Sequence, residues 1–315
     1  MNDTAPRLSR TYRNHHLDSR RWRHYEPRAG DIVVSSAYKA GTTWTQHIVL
    51  TLLDPGGAEI ENLAALSPWP DRRFGQSEEA LKELLAARSL DRPLCLKTHL
   101  PLDALPYYPE LRYIVLGRDP RDVFMSLFNH FKNYNELLFS RLNDEERFGD
   151  PMPPCPEDPR ELWQAWITRG WFPWEQEGWP FWTNLGHTRS YWEYRHLPNL
   201  LFVHYGDMAA HPLREVGRIA RFIGVGDDTA LIEQAVERSR FDVMKRNADR
   251  LQGRMNETWR GGASAFFHAG GGGRWRGVLT DDDLDLYEQT KARVLEPECA
   301  RWLEQGAAGH APSSR

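Results

Sequence analysis

The chain has 315 residues, enough for about two domains by length, but one large α/β domain is equally compatible and no linker interrupts it. Hydrophobic residues make up 40%, charged residues make up 27%, and the formal net charge is -4, which argues against a nucleic-acid binder defined by bulk basicity. The three cysteines are too few and scattered for a disulfide framework or a zinc site. No apolar run reaches the ~18 residues that span a bilayer, and the N-terminus lacks an apolar signal core. We therefore expect a cytoplasmic protein with no membrane span and no nucleic-acid partner.

Three segments are predicted along the chain. Residues 1–29 are polar and arginine-rich, and we expect them on the surface. Residues 30–303 form the predicted domain, and residues 304–315 are small and polar and are predicted to be a disordered tail.

Short apolar runs predict four buried strands, at 32–36, 93–98, 112–118 and 200–205. Helical patterns separate them, at 42–53, 76–88, 120–139, 213–223 and 229–238. Strands that alternate with helices indicate an α/β fold with a central parallel sheet covered by helices on both faces. Ligands of such sheets bind off the carboxyl ends of the strands. The polar residues predicted there are Lys39, Lys97, His99, Arg118 and Tyr205.

Residues 140–195 contain seven of the thirteen tryptophans. One interpretation is a helical region whose indoles pack into the core. The other is an aromatic wall over a ligand pocket, since pockets are lined with apolar and aromatic groups. Both hold if different tryptophans serve each purpose.

The stretch Asp31-Ile-Val-Val-Ser-Ser-Ala-Tyr-Lys-Ala-Gly-Thr-Thr-Trp44 predicts an anion site. A strand, a turn at Gly41 and a helix start leave unpaired N–H groups at the positive end of the helix dipole. Lys39 adds a full charge. The spacing differs from the Walker pattern, in which Gly-Lys-Ser/Thr follows an earlier Gly. Taken alone, the stretch is equally compatible with an ordinary strand–turn–helix that carries a surface lysine.

The stretch Tyr113-Ile-Val-Leu-Gly-Arg-Asp-Pro-Arg-Asp-Val-Phe-Met-Ser126 predicts a strand end followed by a helix that begins near Pro120. The forked guanidinium of Arg118 suits a terminal phosphate, and the Ser126 hydroxyl could reach the same phosphate. The alternative is that Arg118 forms a structural ion pair with Asp122.

The stretch Leu94-Cys-Leu-Lys-Thr-His-Leu-Pro101 places His99 just past a strand end. Histidine is the usual general base near neutral pH, although a lone histidine here is also compatible with a structural role. Lys97 and His99 are two residues apart, so both side chains leave the same face of an extended chain.

Together these motifs resemble the cytosolic-type sulfotransferases, which move a sulfuryl group from 3′-phosphoadenosine 5′-phosphosulfate (PAPS) to a hydroxyl or amine. The resemblance covers most of residues 30–300, and it continues through four further stretches: Pro180-Phe-Trp-Thr-Asn-Leu185, Phe202-Val-His-Tyr-Gly-Asp-Met208, Ser239-Arg-Phe-Asp-Val-Met-Lys245 and Gly270-Gly-Gly-Gly-Arg-Trp-Arg276. It implies a fold similar to the P-loop nucleotide kinases and a reaction that needs no metal.

The resemblance also implies roles for residues. Lys39 would bind the bridging oxygen and stabilise the leaving group, while His99 would be the base and Lys97 would assist on the transferring group. Ser126 would help to hold the 3′-phosphate and would restrain Lys39 until the acceptor arrives. Backbone amides would cradle the 5′-phosphate at Ala40, Gly41, Thr42 and Thr43. The remaining co-substrate contacts implied are Trp44, Arg118, Tyr205, Ser239, Phe241 and Met244.

The chain departs from the family pattern where Arg-Lys-Gly usually precedes the glycine turn. It has His268-Ala-Gly270, so His268, Ala269 and Gly270 occupy positions from which an arginine grips the 3′-phosphate. A histidine would bind phosphate only when protonated, which predicts an affinity that falls with rising pH. Arg274 or Arg276 is the alternative source of charge.

The sequence thus predicts a PAPS-dependent sulfotransferase that acts on a small apolar or aromatic acceptor, by in-line transfer with His99 as the general base. The alternatives are a nucleotide or small-molecule kinase of similar fold and a non-catalytic nucleotide-binding protein. The absent Walker spacing argues against the first, and His99 with Lys97 argues against the second. The short dimer motif of some family members is degraded here, so we predict no oligomeric state.

Overall fold

The computed structural model describes residues 5–57, 59–89, 91–253, 255–267 and 270–310. At its centre lies a parallel sheet in the order β2-β1-β3-β4. Its strands are β1 (Ile32–Ser35), β2 (Cys95–Thr98), β3 (Arg112–Gly117) and β4 (Leu200–His204). In the register of the sheet, Ile32 pairs with Cys95 on one side and with Arg112 on the other. The predicted α/β fold and its four strands are confirmed.

Helices cover both faces of the sheet, as predicted. They are α1 (Thr42–Leu53), α2 (Leu63–Leu66), α3 (Glu78–Ala86), α4 (Pro120–Lys132), α5 (Glu136–Leu142), α6 (Pro159–Thr168), α7 (Leu185–Trp192), α8 (Tyr205–Ala210), α9 (Pro212–Ile223), α10 (Thr229–Arg238), α11 (Phe241–Arg246), α12 (Ala248–Leu251), α13 (Met255–Thr258), α14 (Gly262–Phe266), α15 (Asp281–Val294) and α16 (Pro297–Gln305). Short 3₁₀ helices cover Ser19–His24, Leu102–Ala104 and Gly306–His310.

Successive residues of each strand enter different hydrophobic clusters. Val33 packs with α4 and α6 on one face, while Ile32 and Val34 pack with α1 and α9 on the other. All four residues of β1 are buried. A strand that is buried on both faces has no polar side, which explains why the sequence shows short apolar runs instead of alternation.

Residues 12–22 of the N-terminal segment are largely buried, so the expectation that the whole segment lies on the surface was wrong, although Arg7, Leu8 and Arg20 are exposed. Tyr12, His15, Leu17 and Trp22 are all at most 1% exposed. The polar groups of the segment are paired internally; for example, the Asn14 side chain accepts hydrogen bonds from the backbone N–H groups of residues 16 and 17. Hydrogen bonds of this kind allow a polar segment to be buried.

The single helix predicted at 120–139 is two helices. α4 ends at Lys132, and α5 begins after Asn135, whose side chain accepts a hydrogen bond from the backbone N–H of Leu138. Asparagine is a favoured N-cap. Between the helices, Tyr134 forms an isolated β-bridge with Trp259.

Part of the predicted tail is ordered. α16 continues to Gln305, and a 3₁₀ helix follows to His310. The backbone N–H of Ala307 donates to the Asp207 carboxylate at 2.7 Å, which ties this segment to α8. Residues 311–315 lie outside the described part of the chain.

Candidate active site

A cavity of about 610 Å³ opens at the carboxyl ends of the strands. Seven lysine and arginine residues among the described residues line it: Lys39, Arg72, Lys97, Arg118, Arg141, Arg240 and Arg274. No aspartate or glutamate among the described residues lines it. The charge of the lining therefore favours an anionic ligand.

The turn from β1 into α1 is the segment predicted to be a phosphate loop. Gly41 caps α1 with a φ of 102°, in the left-handed region that favours glycine, and no side chain caps the helix. A Cβ at Gly41 would lie 3.1 Å from the Tyr205 ring. Gly41, Thr42 and Thr43 line the cavity, whereas the Ala40 side chain is buried in the core. The first N–H groups of α1 have no acceptor within the helix, which makes this turn suitable for an anion.

The Lys39 side chain contacts α4 and α14. Its Nζ lies 3.2 Å from His130 Nδ1 and 4.3 Å from the centre of the Phe266 ring. Ser126 lines the same cavity, but no hydrogen bond between Ser126 and Lys39 is found in the described ranges. Burial, together with the nearby charges of Arg118, Lys97 and Arg274, lowers the pKa of Lys39 to about 7.

Two carbonyl groups position the guanidinium of Arg118. Nη1 donates to the Lys39 carbonyl at 2.9 Å, and Nη2 donates to the Gly271 carbonyl at 2.8 Å. Asp122 forms no ion pair with Arg118 within the described ranges, and it accepts a hydrogen bond from the Gly273 backbone instead. Arg118 therefore links the phosphate loop to the glycine run and is not the structural ion pair that was the alternative.

Residues that the resemblance predicts to contact adenosine line the cavity. The Trp44 and Tyr205 rings are 5.6 Å apart. Phe241 is 42% exposed, and Gly270 lies against its ring. The predicted residues Ser239, Met244 and Gly270 also line the cavity. His268 and Ala269 lie outside the described residues.

Several buried donors at the cavity lack hydrogen-bond partners within the described residues. They are Trp44 Nε1, Arg118 Nε, Trp259 Nε1 and Arg274 Nε. A buried donor without a partner is unfavourable, and phosphate or sulfate oxygens would satisfy it. These groups therefore fit a ligand with several anionic oxygens. Arg276 differs from Arg274, because its guanidinium lies over the Trp275 ring at 4.4 Å.

His99 follows β2 and is held in one orientation. Its Nδ1 lies 2.7 Å from the carbonyl oxygen of Ser36, and its ring packs between Trp69 and Trp182. A carbonyl only accepts, so Nδ1 carries the proton and the lone pair is on Nε2. Burial lowers the pKa of His99 well below its usual value, and Lys97 acts in the same direction. His99 is therefore neutral near pH 7 with Nε2 available as a base.

A buried carboxylate, Asp71, organises the surroundings of His99. It accepts hydrogen bonds from the indole N–H groups of Trp22 and Trp69 and from the backbone N–H of His99. Lys97 lies over the Trp69 ring at 4.2 Å. Burial lowers the pKa of Lys97 to about 8, although the charge of Asp71 opposes that shift.

The part of the cavity beside His99 combines aromatic rings with polar groups. His16 Nε2 lies 3.3 Å from the Tyr134 hydroxyl, and both residues line the cavity together with His130. Of the seven tryptophans in 140–195, Trp182 lines the cavity, and Trp163 and Trp166 are fully buried, so both interpretations of that region apply. Sequence reasoning missed Ser36, Asp71, His16 and His130. Their roles depend on contacts between distant segments, and no local motif marks them.

No group of three or more His, Cys, Asp or Glu side chains that could hold a metal occurs among the described residues. Within the same residues, no helix has both the length and the apolar character required to cross a membrane.

Comparison with known proteins identifies the class. Residues 29–296 match the sulfotransferase domain family. The chain therefore belongs to the sulfotransferase family and is a PAPS-dependent sulfotransferase. The resemblance inferred from the motifs is confirmed.

Particular relatives cover all or most of the chain. A glycolipid sulfotransferase of Mycobacterium tuberculosis is 28% identical over 329 residues and covers 100% of both chains. A mouse sulfotransferase is 27% identical over 237 residues, which covers 73% of this chain and 71% of the relative.

Solved structures share the fold. Retinol dehydratase, solved with retinol and PAP, aligns with a TM-score of 0.68 at 22% identity and covers 89% of this chain and 87% of its own. A mouse sulfotransferase solved with PAP aligns with a TM-score of 0.64 at 18% identity and covers 89% and 90% of the two chains.

Proposed function

We propose that the chain transfers a sulfuryl group from PAPS to a hydroxyl, or an amine, of a small acceptor, with His99 as the general base. One observation carries this proposal: the Ser36 carbonyl fixes the His99 tautomer, which leaves the Nε2 lone pair free at a cavity lined by cations. A correctly oriented neutral imidazole is the group that a hydroxyl acceptor requires.

The residues around the phosphate loop stabilise the negative charge that develops during sulfuryl transfer. PAPS supplies the sulfuryl group and leaves as adenosine 3′,5′-bisphosphate (PAP). His99 Nε2 takes the acceptor proton while the new O–S bond forms and the bond to the 5′-phosphate oxygen breaks. Lys39 stabilises the leaving oxygen, and Lys97 assists on the sulfuryl oxygens. The loop amides at 40–43 hold the 5′-phosphate.

The other end of the co-substrate lies between aromatic and cationic groups. Arg118, Ser126 and Arg274 hold the 3′-phosphate, because the two guanidinium groups have unpartnered Nε donors in the described part of the chain. His268-Ala-Gly270 is the further candidate segment. The adenosine lies against Trp44, Tyr205, Ser239, Phe241 and Met244.

The acceptor lies in the aromatic part of the cavity next to His99. Rings of Trp69, Phe181 and Trp182 provide an apolar surface, and His16 with Tyr134 provides polar contacts. An acceptor that has both an apolar body and polar groups fits this surface. Relatives that match over the full length are named glycolipid sulfotransferases. We therefore propose an acceptor with a hydroxyl on an apolar or aromatic body, and glycolipids are the first class to test.

The reaction proposed here needs no metal. Kinases of similar fold use Mg²⁺ held partly by carboxylates, whereas no carboxylate among the described residues lines this cavity. We also propose a cytoplasmic location, because the free cysteines at 95, 155 and 299 fit a reducing compartment.

Transfer from ³⁵S-labelled PAPS tests the proposal. Purified protein is assayed with phenols, alcohols and glycolipids, with and without EDTA, and labelled ATP replaces PAPS in a parallel series. We expect labelled sulfate on a hydroxyl acceptor, no effect of EDTA and no transfer from ATP. Phosphoryl transfer from ATP would contradict the proposed function. A protein that neither binds PAP nor transfers sulfate would contradict it as well.

The role of His99 is tested separately with an alcohol acceptor. His99→Ala should lower turnover by roughly 10²–10⁴-fold. PAP affinity should stay near that of the wild type, because the hydrogen bond of the ring to this segment goes to the Ser36 carbonyl and not to the loop amides. Turnover equal to that of the wild type would exclude His99 as the base. A phenol is a weaker test, since it is already acidic.

A further inference from the structure

The Lys39 ammonium is held by residues of two other elements. His130 of α4 and Phe266 of α14 contact it, and both line the cavity. An ammonium only donates, so His130 Nδ1 accepts the hydrogen bond. A lysine has four rotatable side-chain bonds, and these contacts restrict it to one direction.

The backbone of Lys39 is fixed as well. Its φ of 52° lies in the left-handed region, which is rare for a residue with a side chain. Arg118 donates to its carbonyl at 2.9 Å and holds this conformation. The fold therefore fixes both the backbone conformation of Lys39 and the direction of its side chain, which is typical of functional sites.

The His130 ring is itself immobilised. It packs against Trp259 at 4.5 Å, Tyr134 at 5.4 Å and Phe266 at 5.6 Å. These aromatic residues line the acceptor part of the cavity. His130 thus contacts the phosphate-loop lysine through Nδ1 and the acceptor surroundings through its ring.

We propose that His130 is a positioning residue, which fixes the Lys39 ammonium at the border between the co-substrate and the acceptor. This inference rests on the proposed function, because that border is where the sulfuryl group is transferred. A pre-oriented cation stabilises charge in the transition state without reorganisation. Loss of the hydrogen bond should therefore reduce the rate of transfer more than the binding of the co-substrate.

Two amide variants isolate the hydrogen bond. The Oδ1 atom of His130→Asn can occupy the position of Nδ1, whereas the amide of His130→Gln reaches the position of Nε2. His130→Phe removes both nitrogens and keeps the ring. His196, which is exposed, provides His196→Phe as the matched control.

The readouts are kcat for sulfation of 4-nitrophenol from PAPS and calorimetric affinity for PAP. His130→Phe and His130→Gln should lower kcat roughly 10- to 100-fold, with PAP affinity within about threefold of the wild type. His130→Asn should recover most of the rate. Equal rates for the Asn and Gln variants, or PAP affinity that falls together with kcat, would overturn the positioning role.

A spectroscopic measurement needs no acceptor. In ¹⁵N spectra of the histidine rings, His130 should be the Nε2–H tautomer with an Nδ1 signal shifted by its donor. Lys39→Met should move that signal, and an unchanged signal would reject the hydrogen bond. Wild-type protein that neither binds PAP nor transfers sulfate would instead reject the proposed function, independently of the His130 variants.

Discussion

At the scale of single residues, the charge of Lys39 should control how tightly PAP binds. Burial and neighbouring cations lower its pKa to about 7 in the free protein. Above that pH the amine becomes neutral, so binding of a phosphate anion must take up a proton. PAP affinity should then fall by up to roughly tenfold per pH unit above 7. Calorimetry between pH 6 and 9 in buffers of different ionisation enthalpy measures both quantities.

Lys39→Arg separates this effect from a titrating histidine. An arginine stays charged, so its affinity for PAP should change little with pH. The sequence also predicts a pH-dependent contribution of His268, which lies outside the described residues. If His268→Arg removes the pH dependence and Lys39→Arg does not, the assignment to Lys39 is wrong.

The two arginines after the glycine run should differ in their effect on PAP binding. Arg274 lines the cavity with an unpartnered Nε within the described residues, while Arg276 lies over Trp275. Arg274→Ala should weaken PAP binding by about 1.5–3 kcal/mol, the range for a hydrogen bond to a charged group. Arg276→Ala should leave the affinity nearly unchanged. The reverse order in calorimetry would move the 3′-phosphate contact to Arg276.

At the scale of elements, the turn between β1 and α1 depends on a glycine. Gly41 and Gly226 have similar positive φ angles, 102° and 90°, but only the Cβ at Gly41 would meet a neighbour, Tyr205 at 3.1 Å. Gly41→Ala and Gly226→Ala should each lose about 1 kcal/mol of stability from backbone strain. PAP affinity should fall at least about tenfold for Gly41→Ala alone, because the loop amides must shift. Equal affinities of the two variants would show that this turn does not bind the phosphate.

At the scale of the whole molecule, buried histidines should make the fold sensitive to acid. Burial lowers the pKa of His187 to about 3, while an unfolded histidine has a pKa of about 6.5. The unfolded chain therefore binds the extra proton below pH 6.5, and stability falls as pH falls from there toward 3. At pH 5 this histidine should account for a loss of about 2 kcal/mol relative to pH 7.

His187→Gln removes the titration and retains a polar group near Ser35, which His187 Nε2 contacts at 3.0 Å. Urea unfolding at pH 7 and pH 5 should show a smaller loss for this variant than for the wild type. His196→Gln on the surface should behave as the wild type. An equal loss for all three proteins would mean that His187 does not set the acid sensitivity.

Local sequence predicted the four strands and the turn at Gly41 before a helix. Short apolar runs predicted the strands because residues buried on both faces cannot alternate with polar ones. Gly41 and Lys39 indicated an anion site because a glycine turn before a helix leaves N–H groups unpaired. Motif resemblance gave the family, and the roles that it implies for residues such as Arg118 stay predictions. The break after α4 was missed, since Asn135 acts as a cap only when the chain turns there.

The tertiary structure alone decided how the site is oriented. Pairing of β1 with β2 brings the Ser36 carbonyl to His99 and so selects the tautomer that can act as a base. Packing of α4 across the cavity brings His130 to Lys39, 91 positions away in sequence. The polar N-terminal segment was expected on the surface, yet internal hydrogen bonds accompany its burial and His16 lines the cavity. No local sequence pattern indicates which distant segments will meet, because hydrogen bonding and burial depend on distance in space.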